Sequence, residues 1–373
     1  MTDAKPRVCL VVASPLTVRA FLAPHLAALA GRYDVSVVAN AAAGAFADLP
    51  ARFHPVAIAR PVAPLADLQA LIALYRFFAR ERFDLVHSVT PKAGLLAMLA
   101  ARLAGVPVRV HTFTGQVWAT REGAARAALR SIDRVIASCA TQVLVDSRSQ
   151  RDFLVENGVV SAAKSAVLAG GSICGVDGER FHPDAAARAK VRDALGIPAD
   201  AVVFVYVGRL NRDKGLLDLA AAFAGIAGEF PGARLLFVGP DEEGLRARLE
   251  GTSLSCVAET TRPQDYLAAA DVFCLPSYRE GFGQSTLEAA ACALPVVASR
   301  IYGIVDAVVD GETGLLHAPR DVAALRAHLE TLARDAQLRR RLGEAGRRRA
   351  LRDFSAAQVT QALLQCYAGL LGR

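Results

Sequence analysis

Apolar residues in this chain run in short unbroken blocks, separated by longer stretches in which they recur every three or four positions. In the first half, blocks at Arg7–Ala13, Asp34–Ala39, Leu85–Ser88, Val108–Thr112 and Gln142–Val145 predict strands. The intervening Leu68–Arg82 and Ala93–Leu103 predict helices. In the second half, strands are expected at Val202–Val207, Arg234–Val238, Val272–Pro276 and Val296–Ala298. Blocks without polar alternation belong to strands buried on both faces, as in parallel sheets sandwiched between helices. The pattern lapses over residues 170–198, across Gly170-Gly171, Pro183 and Pro198, and restarts near Ala201. The expected architecture is therefore α/β, with two Rossmann-like domains at residues 1–175 and 176–354. Beyond them Val359, Leu363, Leu364, Tyr367 and Leu370 recur at helical spacing within Ser355–Leu371. That pattern predicts a closing helix, residues 355–373, packing back on the first domain.

Composition narrows the class. A chain of 373 residues with 53% hydrophobic and 21% charged positions is globular and long enough for two cores. The first apolar block, Val8 to Ala13, is strand-sized and stops at Ser14-Pro15, so it does not read as a signal peptide. Leu95 to Leu103 is too short to span a bilayer. No two of the seven cysteines are spaced as CxxC, and most sit in apolar segments, which suits buried thiols in a reducing compartment. The expected location is cytoplasmic.

Charge is unevenly placed. Residues 1–180 hold 20 Lys/Arg against 13 Asp/Glu, and residues 181–373 hold 23 of each, so the first half carries the whole net charge of +7. An anionic partner for that half follows. Aromatic content of 6% and the absence of a nucleic-acid motif point away from nucleic acid, toward an acidic membrane surface or a phosphorylated acceptor. Arg126, Arg130 and Arg134 repeat every four residues and so form one stripe on a helix. It is either a solvated face or a contact with the inner face of the cytoplasmic membrane.

Two segments carry chemistry. Val207 to Gly215 follows a strand and precedes a helix, which is where ligands bind in open α/β sheets. Arg209 and Lys214 there suit a diphosphate, one as a planar fork and one as a point charge. Glu280-Gly281-Phe282-Gly283-Gln284-Ser285-Thr286-Leu287-Glu288 follows another strand. Its glycines permit close backbone approach, and the helix beginning near Gln284 points free N–H groups at an anion. Glu280 and Glu288 can look into the same cleft.

Together these segments resemble glycosyltransferase family 4 of the GT-B fold. The flanking Leu294-Pro295-Val296-Val297-Ala298 and Asp310-Gly311-Glu312-Thr313-Gly314 fit as well. The resemblance implies two domains facing a central cleft and transfer from a nucleotide diphosphate sugar with retention. Arg209 and Lys214 would bind the diphosphate, Glu288 the ribose, and Glu280 the donor sugar. Backbone N–H groups of Phe282 and Gly283, at the helix start marked by Gln284, would complete the donor site. The segment His111 to Trp118 looks like the subgroup that builds capsular, O-antigen and other lipid-linked oligosaccharides, which implies a UDP-sugar donor and a polyprenyl-diphosphate-linked saccharide acceptor. Where many relatives carry Thr-x-His-Gly, this chain has Thr112-Phe113-Thr114-Gly115, so either Thr114 or His111 takes the catalytic position of the family histidine. Cys174 stands where relatives often have Asn. Ser14-Pro15-Leu16-Thr17 replaces a Gly-Gly loop.

The chain has no Asp-x-Asp and no metal-spaced His/Cys cluster, so no cofactor or metal is expected beyond the nucleotide sugar as co-substrate. A dehydrogenase is disfavoured by the missing G-x-G-x-x-G after the first strand. A nucleotide-sugar epimerase of the same fold, or a non-catalytic nucleotide-sugar-binding protein, remains as an alternative.

Overall fold

The computed structural model describes residues 5–42, 44–59, 63–251 and 253–372. They form two compact units, Met1–Cys174 together with Ala356–Arg373, and Gly175–Ser355.

The first unit holds β1 (Arg7–Val11), β2 (Asp34–Ala39), β3 (Arg52–Pro55), β4 (Leu85–Val89), β5 (Val108–Phe113), β6 (Gln142–Val145) and β7 (Ser165–Val167). All pair in parallel in the order β3-β2-β1-β4-β5-β6-β7. Its helices are α1 (Pro15–Thr17), α2 (Ala23–Arg32), α3 (Pro64–Glu81), α4 (Pro91–Leu103), α5 (Gly123–Cys139) and α6 (Arg148–Glu156). A π-helical turn, Val18–Leu22, joins α1 to α2. One sheet face packs on α3, α4 and α5 through Phe77, Phe78, Met98 and Ile136.

The second unit holds β8 (Val203–Val207), β9 (Arg234–Val238), β10 (Leu254–Val257), β11 (Val272–Leu275), β12 (Val296–Ser299) and β13 (Gly314–His317). They too are parallel, in the order β10-β9-β8-β11-β12-β13. Around them lie α7 (Ala185–Ala194), α8 (Leu216–Ala227), α9 (Arg246–Leu249), α10 (Pro263–Ala269), α11 (Gln284–Ala291), α12 (Ile304–Ala307), α13 (Val322–Arg334) and α14 (Ala336–Asp353). Phe204, Phe223, Phe237 and Phe273 fill the core between sheet and helices.

The closing helix α15 (Ala356–Leu370) covers the other sheet face of the first unit beside α2, through Leu363, Leu364 and Tyr367. Two buried histidines pin it there. His25 Nδ1 shares a hydrogen bond with Thr360 Oγ1 at 2.8 Å. His87 Nδ1 does so with Tyr367 Oη at 2.6 Å, while its Nε2 meets Thr112 Oγ1 at 2.7 Å.

Burial lowers the pKa of His87, and separately of His111, to about 3. In the unfolded chain each would titrate near about 6.5. Below that pH the unfolded chain takes up protons that the folded unit refuses, so stability is full above it and falls as acid is added. The expected loss is about 2 kcal/mol per histidine by pH 5. Urea midpoints at pH 7 and pH 5 check this: equal midpoints would contradict it, and His87→Gln should flatten the pH slope by about one proton.

Candidate functional site

Arg209, Lys214 and Glu280, expected on the donor side, gather at the carboxyl ends of β8 and β11. Two loops are zipped together there. Gly215 has φ +67° and sits so close to the Pro276 carbonyl that an added Cβ would stand 2.1 Å from its oxygen. Tyr278 N donates to the Asp213 carbonyl at 2.8 Å, and Arg279 pairs with the Asp213 carboxylate at 2.8 Å. This zipper brings Lys214 Nζ to Glu280 Oε1 at 2.5 Å. The buried Ser277 Oγ donates to the same oxygen at 2.8 Å. Both side chains of the ion pair are largely buried, with 17% and 13% of their surface exposed.

Arg209 is engaged on its other flank. Its Nη1 donates to both carboxylate oxygens of Glu242, at 2.8 and 3.1 Å. Asn211 Nδ2 holds Glu242 Oε2 at 3.0 Å. The buried Tyr206 hydroxyl donates to the Arg209 carbonyl at 2.8 Å. Burial raises that phenol well above its usual pKa, and the carboxylates of Glu280 and Glu242 raise it further. One hydroxyl thus feels both ion pairs, Lys214–Glu280 and Arg209–Glu242.

The glutamate-bearing segment divides its labour. Phe282 is buried against Phe354, ring centroids 5.2 Å apart, so only its backbone is available to a ligand. Gly283, at φ +78°, is the N-cap of α11. The first-turn amides of such a helix lack intrahelical acceptors and favour an anion. Gln284 turns inward and donates to the Gly175 carbonyl at 2.6 Å. Glu288, one turn on, is half-buried; burial lifts its carboxyl to about 7, against the pull of Arg180 and a hydrogen bond with Gln284. A carboxyl near neutrality can accept or donate a hydrogen bond toward vicinal hydroxyls.

Sequence reading singled out Arg209, Lys214, Glu280 and Glu288. It missed Glu242 and Tyr206, which hold Arg209, Ser277, which holds Glu280, and Asn211, which holds Glu242. The carboxylate run Asp241-Glu242-Glu243, directly after the β9 strand, was the available signal.

In the first unit the candidates fare unequally. Thr114 is half-buried in the loop after β5. His111 is fully enclosed in the core. Its Nδ1 shares a hydrogen bond with Ser88 Oγ at 2.8 Å, and its ring lies so close to Gly94 that an added Cβ there would stand 2.3 Å from it. Alternation along β5 explains this: His111 points into the helical layer, whereas Thr112 points to the opposite face. His111 therefore presents no exposed atom to a ligand, whereas Thr114 is partly exposed. A pocket at the ends of β1, β4, β5 and β6 is lined by His25, His87, Thr112, Asp146 and Ser172, with Phe21, Leu22 and Ile173 around them.

The arginine stripe on α5 has neighbours of its own. Arg126 lies over the Trp118 ring, 5.4 Å from its centroid, and donates to Asn157 Oδ1 at 3.2 Å. Arg134 donates to the carbonyls of Asn157 and Gly158 at 3.1 and 2.9 Å. Arg130 is half-buried between them, with its Nε enclosed. Arg126 and Arg134 thus tie α5 to the carbonyl end of α6, a favourable place for cations, through neutral oxygens.

With this geometry, the chain matches a family model described as Glycosyl transferase 4-like domain over residues 18–171 and one described as Glycosyl transferases group 1 over residues 187–349. It is 30% identical over 322 residues to the capsular polysaccharide biosynthesis glycosyltransferase CapM of Staphylococcus aureus, covering 84% of each chain. It is 29% identical over 261 residues to UDP-Gal:alpha-D-GlcNAc-diphosphoundecaprenol alpha-1,3-galactosyltransferase of Escherichia coli, covering 67% of this chain and 66% of that one. Among solved structures, the Anabaena protein HepE in complex with UDP and glucose superposes with a TM-score of 0.81 at 18% identity, covering 98% of this chain and 100% of that one. The fold and these similarities define a glycosyltransferase that uses nucleotide sugars. The chain belongs to glycosyltransferase family 4 and has the GT-B fold.

Proposed function

We propose that this enzyme transfers a hexose or N-acetylhexosamine, with retention and without a metal, from a UDP-sugar to a polyprenyl-diphosphate-linked saccharide at the cytoplasmic face of the membrane, in surface polysaccharide or glycan biosynthesis. The observation that carries it is the Lys214–Glu280 pair, beside Arg209 and the N-terminus of α11. A diphosphate leaving group needs cations and amides where charge develops, and the sugar's anomeric carbon needs a carboxylate nearby. The acceptor hydroxyl attacks from the face that the diphosphate leaves. The new C–O bond forms as the anomeric C–O bond to phosphate breaks, and the hydroxyl proton passes to the departing phosphate oxygen. The lipid-linked acceptor and the uridine are supported by the E. coli relative, whose name specifies both, and the uridine also by the UDP bound to HepE.

Radiolabelled UDP-sugars offered with a membrane lipid extract test the reading. Label should enter the lipid fraction in the presence of EDTA, and NMR should show an α-linked product from an α-linked donor. An absolute Mg²⁺ requirement or an inverted linkage would contradict it. Lys214→Ala should cost about 1.5–3 kcal/mol in kcat/KM for the donor, because a charge-assisted contact is lost. Unchanged donor kinetics would remove Lys214 from the site.

A further inference from the structure

α3 is apolar on two sides. Ala70, Leu74, Phe77 and Phe78 are buried in the core of the first unit. The opposite side presents Leu65, Leu68, Ile72 and Tyr75, exposed by 81%, 53%, 40% and 42%. Their spacing of three, four and three residues makes one continuous stripe along the helix. A contiguous exposed apolar stripe of this kind marks an interaction surface.

The charges beside the stripe say what it meets. Both acids of α3 are consumed on other flanks: Asp67 holds Lys92 Nζ at 2.6 Å, and Glu81 takes both Arg7 and Arg80. Arg76 and Arg82 at the carboxyl end of α3 are exposed. α4 alongside ends in the exposed Arg102 and Leu103. A second copy of the chain would bring the same cations and no spare carboxylate from α3 to meet them. A bilayer with anionic headgroups meets both needs, taking the apolar stripe into its acyl boundary and pairing phosphates with the arginines. Tyr75, with an apolar ring and a polar tip, suits that depth. Among the described residues no helix is long and apolar enough to cross a membrane.

We infer that the outer face of α3 is a docking surface for an anionic lipid bilayer. This deepens the reading of a lipid-linked acceptor, on which it rests for its purpose, but it is tested without any acceptor.

The full chain is mixed with vesicles of phosphatidylcholine, alone or with phosphatidylglycerol. Binding is expected only with the anionic lipid, weakening as salt rises. Leu68→Glu with Ile72→Glu should reduce it about tenfold or more, while the thermal midpoint and UDP binding stay at the wild-type values. In Tyr75→Trp, brominated-chain lipids should quench the new fluorescence beyond the signal of the native Trp118. No vesicle binding by the wild type, equal binding by the double variant, or no quenching would each overturn the proposal. So would a concentration-dependent dimer that the double variant abolishes without any vesicle binding. If vesicles bind but no lipid-linked sugar is accepted, the acceptor reading fails and the docking surface stands.

Discussion

Asp271→Ala is expected to destabilise the second unit by about 3–5 kcal/mol, because it strands buried charge. Asp271 stands just before β11, and its side chain does the work of three partners. One oxygen takes Arg188 Nη2 at 2.7 Å and the other takes Arg192 Nη2 at 2.7 Å. The second oxygen also accepts from the Val203 amide at 2.8 Å, which joins the start of β8 to β11. Arg192 has only 6% of its side chain exposed and also donates to the carbonyls of Ala199 and Ala201. Burial lowers its pKa even beside Asp271, so the pair exists only because each half is present. Removing the carboxylate leaves a guanidinium and an amide enclosed without their acceptor. Urea unfolding of the purified variant measures the effect. A loss below about 1 kcal/mol would show that water reaches the arginines and replaces the carboxylate.

Glu280→Gln is expected to lower kcat by about two to three orders of magnitude while leaving the donor KM within a few-fold. The contacts of this carboxylate with Lys214 and Ser277 both fall on Oε1. A glutamine can keep its carbonyl oxygen in that place and preserve the local geometry. What it removes is the negative charge, which pairs with Lys214 at rest and, on the proposed mechanism, faces the positive charge that builds on the donor sugar. A structural role alone would predict a loss of folding or of donor affinity, not an isolated loss of turnover. Steady-state kinetics with UDP-sugar varied at fixed acceptor separates the two, and a normal kcat would exclude Glu280 from the chemistry.

What could be read from the chain follows from burial. β1, β2, β4, β5 and β6 in one sheet, and β8, β9, β11 and β12 in the other, stand out as apolar blocks because neighbours cover both faces and both edges. The strands that escaped notice, β3, β7, β10 and β13, are the four edges of the two sheets. Arg52-Phe53-His54-Pro55 and Ser165-Ala166-Val167 are short and partly exposed, so no apolar run marks them. The loops that bring Lys214 to Glu280 stood out because each is one continuous segment. Glu242 and Ser277 did not, because their importance lies in which side chain they face. For the same reason, spacing could place Arg126, Arg130 and Arg134 on one side of α5 but could not reveal the end of α6 waiting there. Nor could it show that β5 turns His111 inward while the neighbouring Thr112 meets His87.

The path of the chain has a consequence for how the molecule is built. Val176 N donates to the Phe354 carbonyl at 2.8 Å, and Val176 bridges Ser355 in parallel, so the second unit begins and ends at one point. Topologically it is an insertion, threaded into the first unit between Cys174 and Ala356. During synthesis the second unit can close as soon as its own residues are made. The first unit must wait for α15, which is made after the second unit. Until Thr360 reaches His25 and Tyr367 reaches His87, one face of its sheet lacks part of its cover, so the unit begun first is completed second.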